Sequence, residues 1–418
     1  MSFHGPVYLR NPQHFQDNDH SFDYISTLDM RYFISIHHPA YSPPSDLLFK
    51  LYSSDHRMGG IHFGLVMDAC TIIANNRRDG WLSTDRNGEN RVNGDLDQVL
   101  ALGNYWYHLP RENGKIPKWP VVTCFKDWEF PSSLPPSWIR VPNAQKPLFS
   151  FAPSEIISSI HTRDVYCRIT GHNTATDVAH IIPRAEKDWF ENNGMRYWNW
   201  EPSLLEKSLL DDQTNLMLLR SDVHQAFDDK YFVLYPKDSA GFYVHMLHYT
   251  TDLGVLYHNS KTHPLLNCQP EFLYARFAWS LFPLITGFLG TSVEKEVISV
   301  AEGGHRSIIT ARKIETKRRY SQKSSQGTAM SEARSEGNAQ VGWITRKPKL
   351  QLRGNNQENV NLSDSEETRL AKMREAELEK QRPKGFVPFK GDPFEGKPDP
   401  ITVFERLGYD VVDDRDMG

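Results

Sequence analysis

Three periodic stretches fall close together in the middle of the chain. From Thr176 to Ile182 a β-branched, alternating run ends at Pro183, whose missing N–H and fixed φ stop a central strand. This predicts a short strand with His180 near its end. Asn215 opens Asn215-Leu216-Met217-Leu218-Leu219, a second apolar run of strand length, after a polar turn holding Asp211 and Asp212. Ser221 is then placed to cap a helix reading DVHQAFD, because its hydroxyl can accept an unpaired N–H of the first turn. His224 falls in that turn and Asp228 four residues later, so the two side chains stack on one helix face.

Elsewhere the pattern is informative about packing. Gly60 to Asn75 mixes β-branched and small residues and reads as a strand or a buried helix, while GNYWYHLP and KWPVVTCFKDWEFP are strand-like between prolines. Residues 1–150 are therefore expected to form a mixed α/β domain whose aromatic residues are mostly core, with base stacking as the functional alternative. Pro270 marks a helix start. Phe277 to Leu289 is the most apolar stretch; Ser280, Pro283, Thr286 and Gly287 interrupt it, so it reads as a buried helix closing a domain over 155–295, too short to span a bilayer comfortably.

Composition sets limits on the whole. The 418 residues suggest two or three domains, and 39% hydrophobic with 12% aromatic content suffices for a packed core in the first three hundred. The four cysteines, at 70, 124, 167 and 268, show neither a disulfide framework nor C-x-x-C spacing, which argues against a secreted scaffold and against a zinc knuckle. With no apolar signal core at the start, an intracellular protein of nucleus or cytoplasm is expected, with no membrane partner.

Charge divides the chain. Residues 161–236 hold eight Lys and Arg against twelve Asp and Glu, whereas 301–353 hold twelve Lys and Arg against four Glu among Ser, Gln, Gly and Asn. The latter has the composition of a disordered basic arm: a phosphate-binding tail, a nuclear localisation signal or a solvated linker. Beyond it the chain turns acidic, so 296–418 is expected to be a largely disordered tail, basic and then acidic. Ser363 to Gln381 inside it reads as an isolated charged helix or disorder.

The ordered set in the middle carries a resemblance. Cys167 with Thr170 and Gly171, then Ala179-His180-Ile181-Ile182-Pro183, Asn215 to Leu219, and His224-Gln225-Ala226-Phe227-Asp228 resemble an HNH endonuclease domain in its AHIIP variant. It covers roughly residues 160–236, and the layout is similar to that of fungal proteins carrying this domain. The resemblance implies an α+β protein with a ββα-metal fold at its centre, hydrolysing phosphodiester bonds of DNA with a divalent metal ion. His180 would be the general base, Asn215 would brace the loop that aims it, and His224 and Asp228 would hold the metal. Magnesium is placed first because many members use it; manganese, zinc and nickel also suit an imidazole–carboxylate pair.

One position departs from the family. Many members place a further ligand immediately before the base histidine, and here that residue is Ala179; Asp177 is the nearest carboxylate. Two alternatives follow. A weakened ligand set would leave a catalytically degenerate domain that binds nucleic acid or protein, and Cys167 with His180 could form a thiol hydrolase, although a buried structural thiol is the expectation for Cys167.

Overall fold

A computed structural model describes residues 3–12, 32–141, 155–201, 206–301 and 305–312. The aromatic-rich strand expected in GNYWYHLP is Asn104–His108, and it lies inside a four-stranded sheet ordered Leu47–Tyr52, Phe33–His37, Asn104–His108, Trp81–Ser83. The two middle strands run parallel, the outer pairings antiparallel. Gly60 to Asn75 resolves into both expected forms: Ile61–His62 joins a three-stranded sheet with Gln98–Leu100 and Phe3–Pro6, then Phe63–Ile73 becomes a helix. Ten of its eleven residues are buried, which explains the absence of a polar face in its sequence.

The boundary expected near residue 150 falls on 142–154, outside the described residues. On both sides of that gap the buried side chains belong to one core: Ile34, Leu65 and Trp138 from the first part cluster with Phe190, Met217, Phe227 and Tyr274 from the second. Most of the described aromatics of the first part are core residues, with Trp128 and Trp138 among the largest fully buried side chains, whereas Tyr8 and Phe33 are exposed.

Two readings need correction. The disordered tail expected over 296–418 does not hold at its start, because Lys295–Val300 pairs antiparallel with Arg306–Ala311 and parallel with Val121–Val122. The clustering of β-branched residues in KEVISV and RSIITA was the missed signal. The remainder of the basic arm, the acidic stretch and the helix expected over Ser363 to Gln381 lie outside the described residues. The apolar stretch near residue 280 is also longer than read: Pro270–Leu281 is α-helical and continues through a 3₁₀ turn, Phe282–Ile285, into Thr286–Leu289. This 20-residue run is long and apolar enough to cross a membrane by length and composition, yet 72% of its most apolar window is buried within the protein. Pro270 starts it, as the sequence implied.

Candidate active site

The central strands form as an antiparallel hairpin-like pair, Thr176–His180 against Leu216–Arg220, with His180 opposite Leu216 and Asp177 opposite Leu219. Each strand is bipartite. Leu216, Leu218 and Val178 pack with Ile160 of the helix Ile156–Asp164, while Ala179, Met217 and Leu219 join the main core. Side chains two apart on a strand share a face, so Asp177 lies on the face of Ala179.

The helix Ser221–Asp228 follows directly, but its start differs from expectation. Arg220 is the N-cap and Ser221 is the first helical residue. The Ser221 hydroxyl donates to the Ala175 carbonyl at 2.9 Å, and the Ser221 N–H reaches the same carbonyl at 2.8 Å, so the residue pins the helix start to the chain entering the first strand. Asn215 likewise precedes its strand rather than opening it, lying in the 3₁₀ turn Gln213–Asn215.

From that turn Asn215 is buried completely and spans the loop after His180. Its Oδ1 accepts from the Ile182 N–H at 2.8 Å, and its Nδ2 donates to the carbonyls of Ile182 at 3.0 Å and Leu210 at 2.9 Å. The Ile181 N–H donates to the Asn215 carbonyl at 2.8 Å. Asn215 thus has both side-chain ends committed to backbone, a set that fixes where the chain turns after His180.

His180 is partly exposed, and its Nε2 meets Asp211 Oδ1 at 2.8 Å. Arg184 donates through Nε to the same carboxylate oxygen at 2.7 Å. Burial draws the His180 pKa below its ordinary value of 6.5, and the nearby Arg184 adds to this, while the Asp211 carboxylate opposes both. The imidazole is therefore neutral at pH 7, with its Nε2 proton directed to Asp211 and Nδ1 left as the basic nitrogen. Asp211 was visible in the sequence only as part of a polar turn.

His224 faces two carboxylates with different nitrogens. Its Nε2 stands 3.4 Å from Asp228 Oδ2, and its Nδ1 stands 3.8 Å from Asp177 Oδ2. A cation can bond to one ring nitrogen at this site while the other keeps its proton, so the arrangement suits Nε2 of His224 with Asp228 as a ligand pair and Asp177 as the group that favours Nδ1–H. Asp228 is half exposed, which leaves room for waters and a phosphate in the remaining positions. Ala179, fully buried, offers nothing.

A residue remote in sequence ties the two halves together. Arg276, buried in the helix Pro270–Leu281, donates through Nη1 to the Ile181 carbonyl at 3.1 Å and through Nη2 to the Phe227 carbonyl. The same Nη2 lies 3.4 Å from Asp228 Oδ1, and the guanidinium stacks 3.7 Å from the Phe227 ring centroid. Burial lowers its pKa to about 10, with Asp228 acting in the opposite sense, so it stays charged. The signal in the sequence was a lone Arg within an apolar helix, FLYARFAWSLF.

Cys167 is fully buried in a turn, its sulfur accepting from the N–H groups of Thr170 at 3.4 Å and Ile169 at 3.5 Å. A sulfur so enclosed is unsuited to nucleophilic attack.

A second polar cluster lies away from the motif. Asp55, His245 and His258 bring ligand atoms within 4.8 Å of one another, all buried, a grouping that could hold a metal ion. Here Lys237 takes the place a cation would occupy: its Nζ is 2.7 Å from Asp55 Oδ1 and 3.0 Å from His245 Nδ1, and it also donates to Asn259. Desolvation opposes ionisation of Asp55, but Lys237 and the two histidines hold its pKa well below the ordinary range. This is an internal ion pair that links the first part of the chain to the strands after the motif, with His245 Nε2 left unpartnered.

Residues 167–235 match a family described as HNH endonuclease. No curated protein shows a match to the chain. No solved structure does either.

Proposed function

Starting from an HNH endonuclease domain at residues 167–235, we propose that the protein is a metal-dependent endonuclease that hydrolyses phosphodiester bonds of DNA. One observation supports the reading: Arg276 reaches both the Ile181 carbonyl just after His180, itself held through Nε2 by Asp211, and the carboxylate of Asp228, which faces His224. Phosphodiester hydrolysis needs a base for water and a cation for the charge that builds on phosphate and leaving oxygen. Nδ1 of His180 takes the proton of the attacking water. Asn215 keeps the loop after His180 in the conformation that aims the ring. His224 and Asp228 would hold the cation, which when bound supplies charge stabilisation. A single imidazole and a single carboxylate leave most positions to water, a set that fits magnesium or manganese better than a closed structural zinc site.

The test is nicking of supercoiled plasmid by the full-length protein in magnesium, manganese, zinc, nickel or chelator. Cleavage with a metal and none with chelator is the expected result. A second reading, a non-catalytic nucleic-acid or protein-binding module, draws on the buried Ala179, which removes one family ligand. Folded protein that binds but cuts with no metal would favour it.

A further inference from the structure

A phosphodiester site needs cationic groups facing the backbone, yet the motif region is acidic and its basic residues are mostly engaged. Arg163 pairs with Asp164, Arg184 with Asp211, Lys187 with Glu191, and Arg220 with Asp222. Arg168 and Arg276 are buried on carbonyl oxygens. Lys230 differs. Its Nζ lies 3.6 Å from the centroid of the Trp279 ring, with no carboxylate at ion-pair distance among the described residues.

The backbone at Lys230 adds a second observation. The helix Ser221–Asp228 ends in a Schellman-type turn, in which the Tyr231 N–H donates to the Ala226 carbonyl and the Lys230 N–H to the Phe227 carbonyl. Lys230 has a φ of 63°, at the position where glycine is the usual residue because it avoids the left-handed penalty. A lysine here carries a local conformational cost that glycine would not.

Its surroundings connect that side chain to residues that touch the proposed site. Lys230 follows Asp228 by two residues. Trp279 sits one helical turn after Arg276, the residue that touches Asp228, and its indole N–H donates to Glu186 Oε1 at 3.0 Å in the turn just after the His180 strand. A ring face holds an ammonium without consuming its N–H donors.

We propose that Lys230, held against Trp279, is a phosphate-binding residue of the nuclease site, contacting the DNA backbone next to the scissile bond. This rests on the reading of residues 167–235 as a DNA-cleaving site. The test is equilibrium binding of a labelled 30-base-pair duplex, about three helical turns, to the full-length protein across salt concentrations, in chelator so that nothing is cut. Lys230→Gly removes the ammonium and suits the left-handed backbone, so it should match or exceed the wild-type melting temperature. It should nonetheless bind roughly 5–10-fold more weakly at low salt, with the log–log salt slope reduced by about 1. Lys230→Arg should retain most of the affinity. Unchanged affinity and slope in Lys230→Gly, or no measurable binding by wild type, would overturn the proposal. Plasmid nicking is read separately, so a protein that binds through Lys230 but never cuts would overturn the catalytic reading and leave this contact standing.

Discussion

Asp211 and His180 meet through a single contact, Oδ1 to Nε2 at 2.8 Å, which orients the ring and assigns its proton to the side away from the proposed water. The carboxylate does two opposing things. It holds the tautomer that leaves Nδ1 basic, and it raises a pKa that burial lowers.

Asp211→Asn should therefore change both rate and pH dependence. An amide can hold the ring in either tautomer, so cleavage should fall by about 10²-fold, within the range of general-base losses. With the raising influence gone, the acid limb of the pH–rate profile should move to lower pH than in wild type. A profile of nicking rate from pH 5 to 9 checks both.

The two carboxylates around His224 should separate in metal affinity. Asp228→Asn removes a proposed ligand and should raise the manganese concentration needed for half-maximal binding by more than 100-fold. Asp177→Asn removes only the group facing Nδ1 and should raise it by roughly 10-fold, the lower end for outer-shell changes. Titration calorimetry with manganese distinguishes them; equal losses would mean that Asp177 is itself a ligand.

Much of this site was legible because its parts are local. The strand near His180 and the i,i+4 pair each follow from short spacings, although the strand ends at His180, short of Pro183, and the motif that contains them was recognisable as an ordered set. What escaped was long-range. Arg276 acts on carbonyls at Ile181 and Phe227, and no local pattern announces which backbone a buried guanidinium will hold. Asp211 reaches His180 across 31 residues. The common core through Trp138, Phe190 and Tyr274 was hidden for the same reason, since periodicity identifies a buried face and not its partner. Ser221 failed differently: a backbone carbonyl at Ala175 competed for the hydroxyl and Arg220 took the cap position.

Asn215→Ala should cost stability as well as activity. It strands a buried N–H and leaves two buried carbonyls each without one donor, so unfolding free energy should drop by about 2–4 kcal/mol. Urea denaturation reads the change, and an effect below about 1 kcal/mol would show that water replaces the amide.

Acid sensitivity should arise far from the site. His38 is buried against Trp119, with Nε2 3.0 Å from the Trp119 carbonyl and Nδ1 accepting from Ala40, and desolvation lowers its pKa to about 3. The unfolded chain binds a proton near pH 6.5 while the folded protein does not, so stability is lost as pH falls below that value. Between pH 7.5 and 5 this group alone should cost about 2 kcal/mol, from 1.36 kcal/mol per pH unit over the interval below 6.5. Urea unfolding of wild type and His38→Gln at both pH values checks it, the variant losing less stability on acidification.

The central claim is that His180 is the base of a metal-dependent cut, and the most direct measurement is single-turnover nicking by wild type and His180→Ala in manganese, with and without added imidazole. The account expects the wild-type rate to fall by at least 10²-fold in the variant and to recover in part as imidazole is added. Equal rates for the two proteins, or nicking by wild type that persists in chelator, would contradict it.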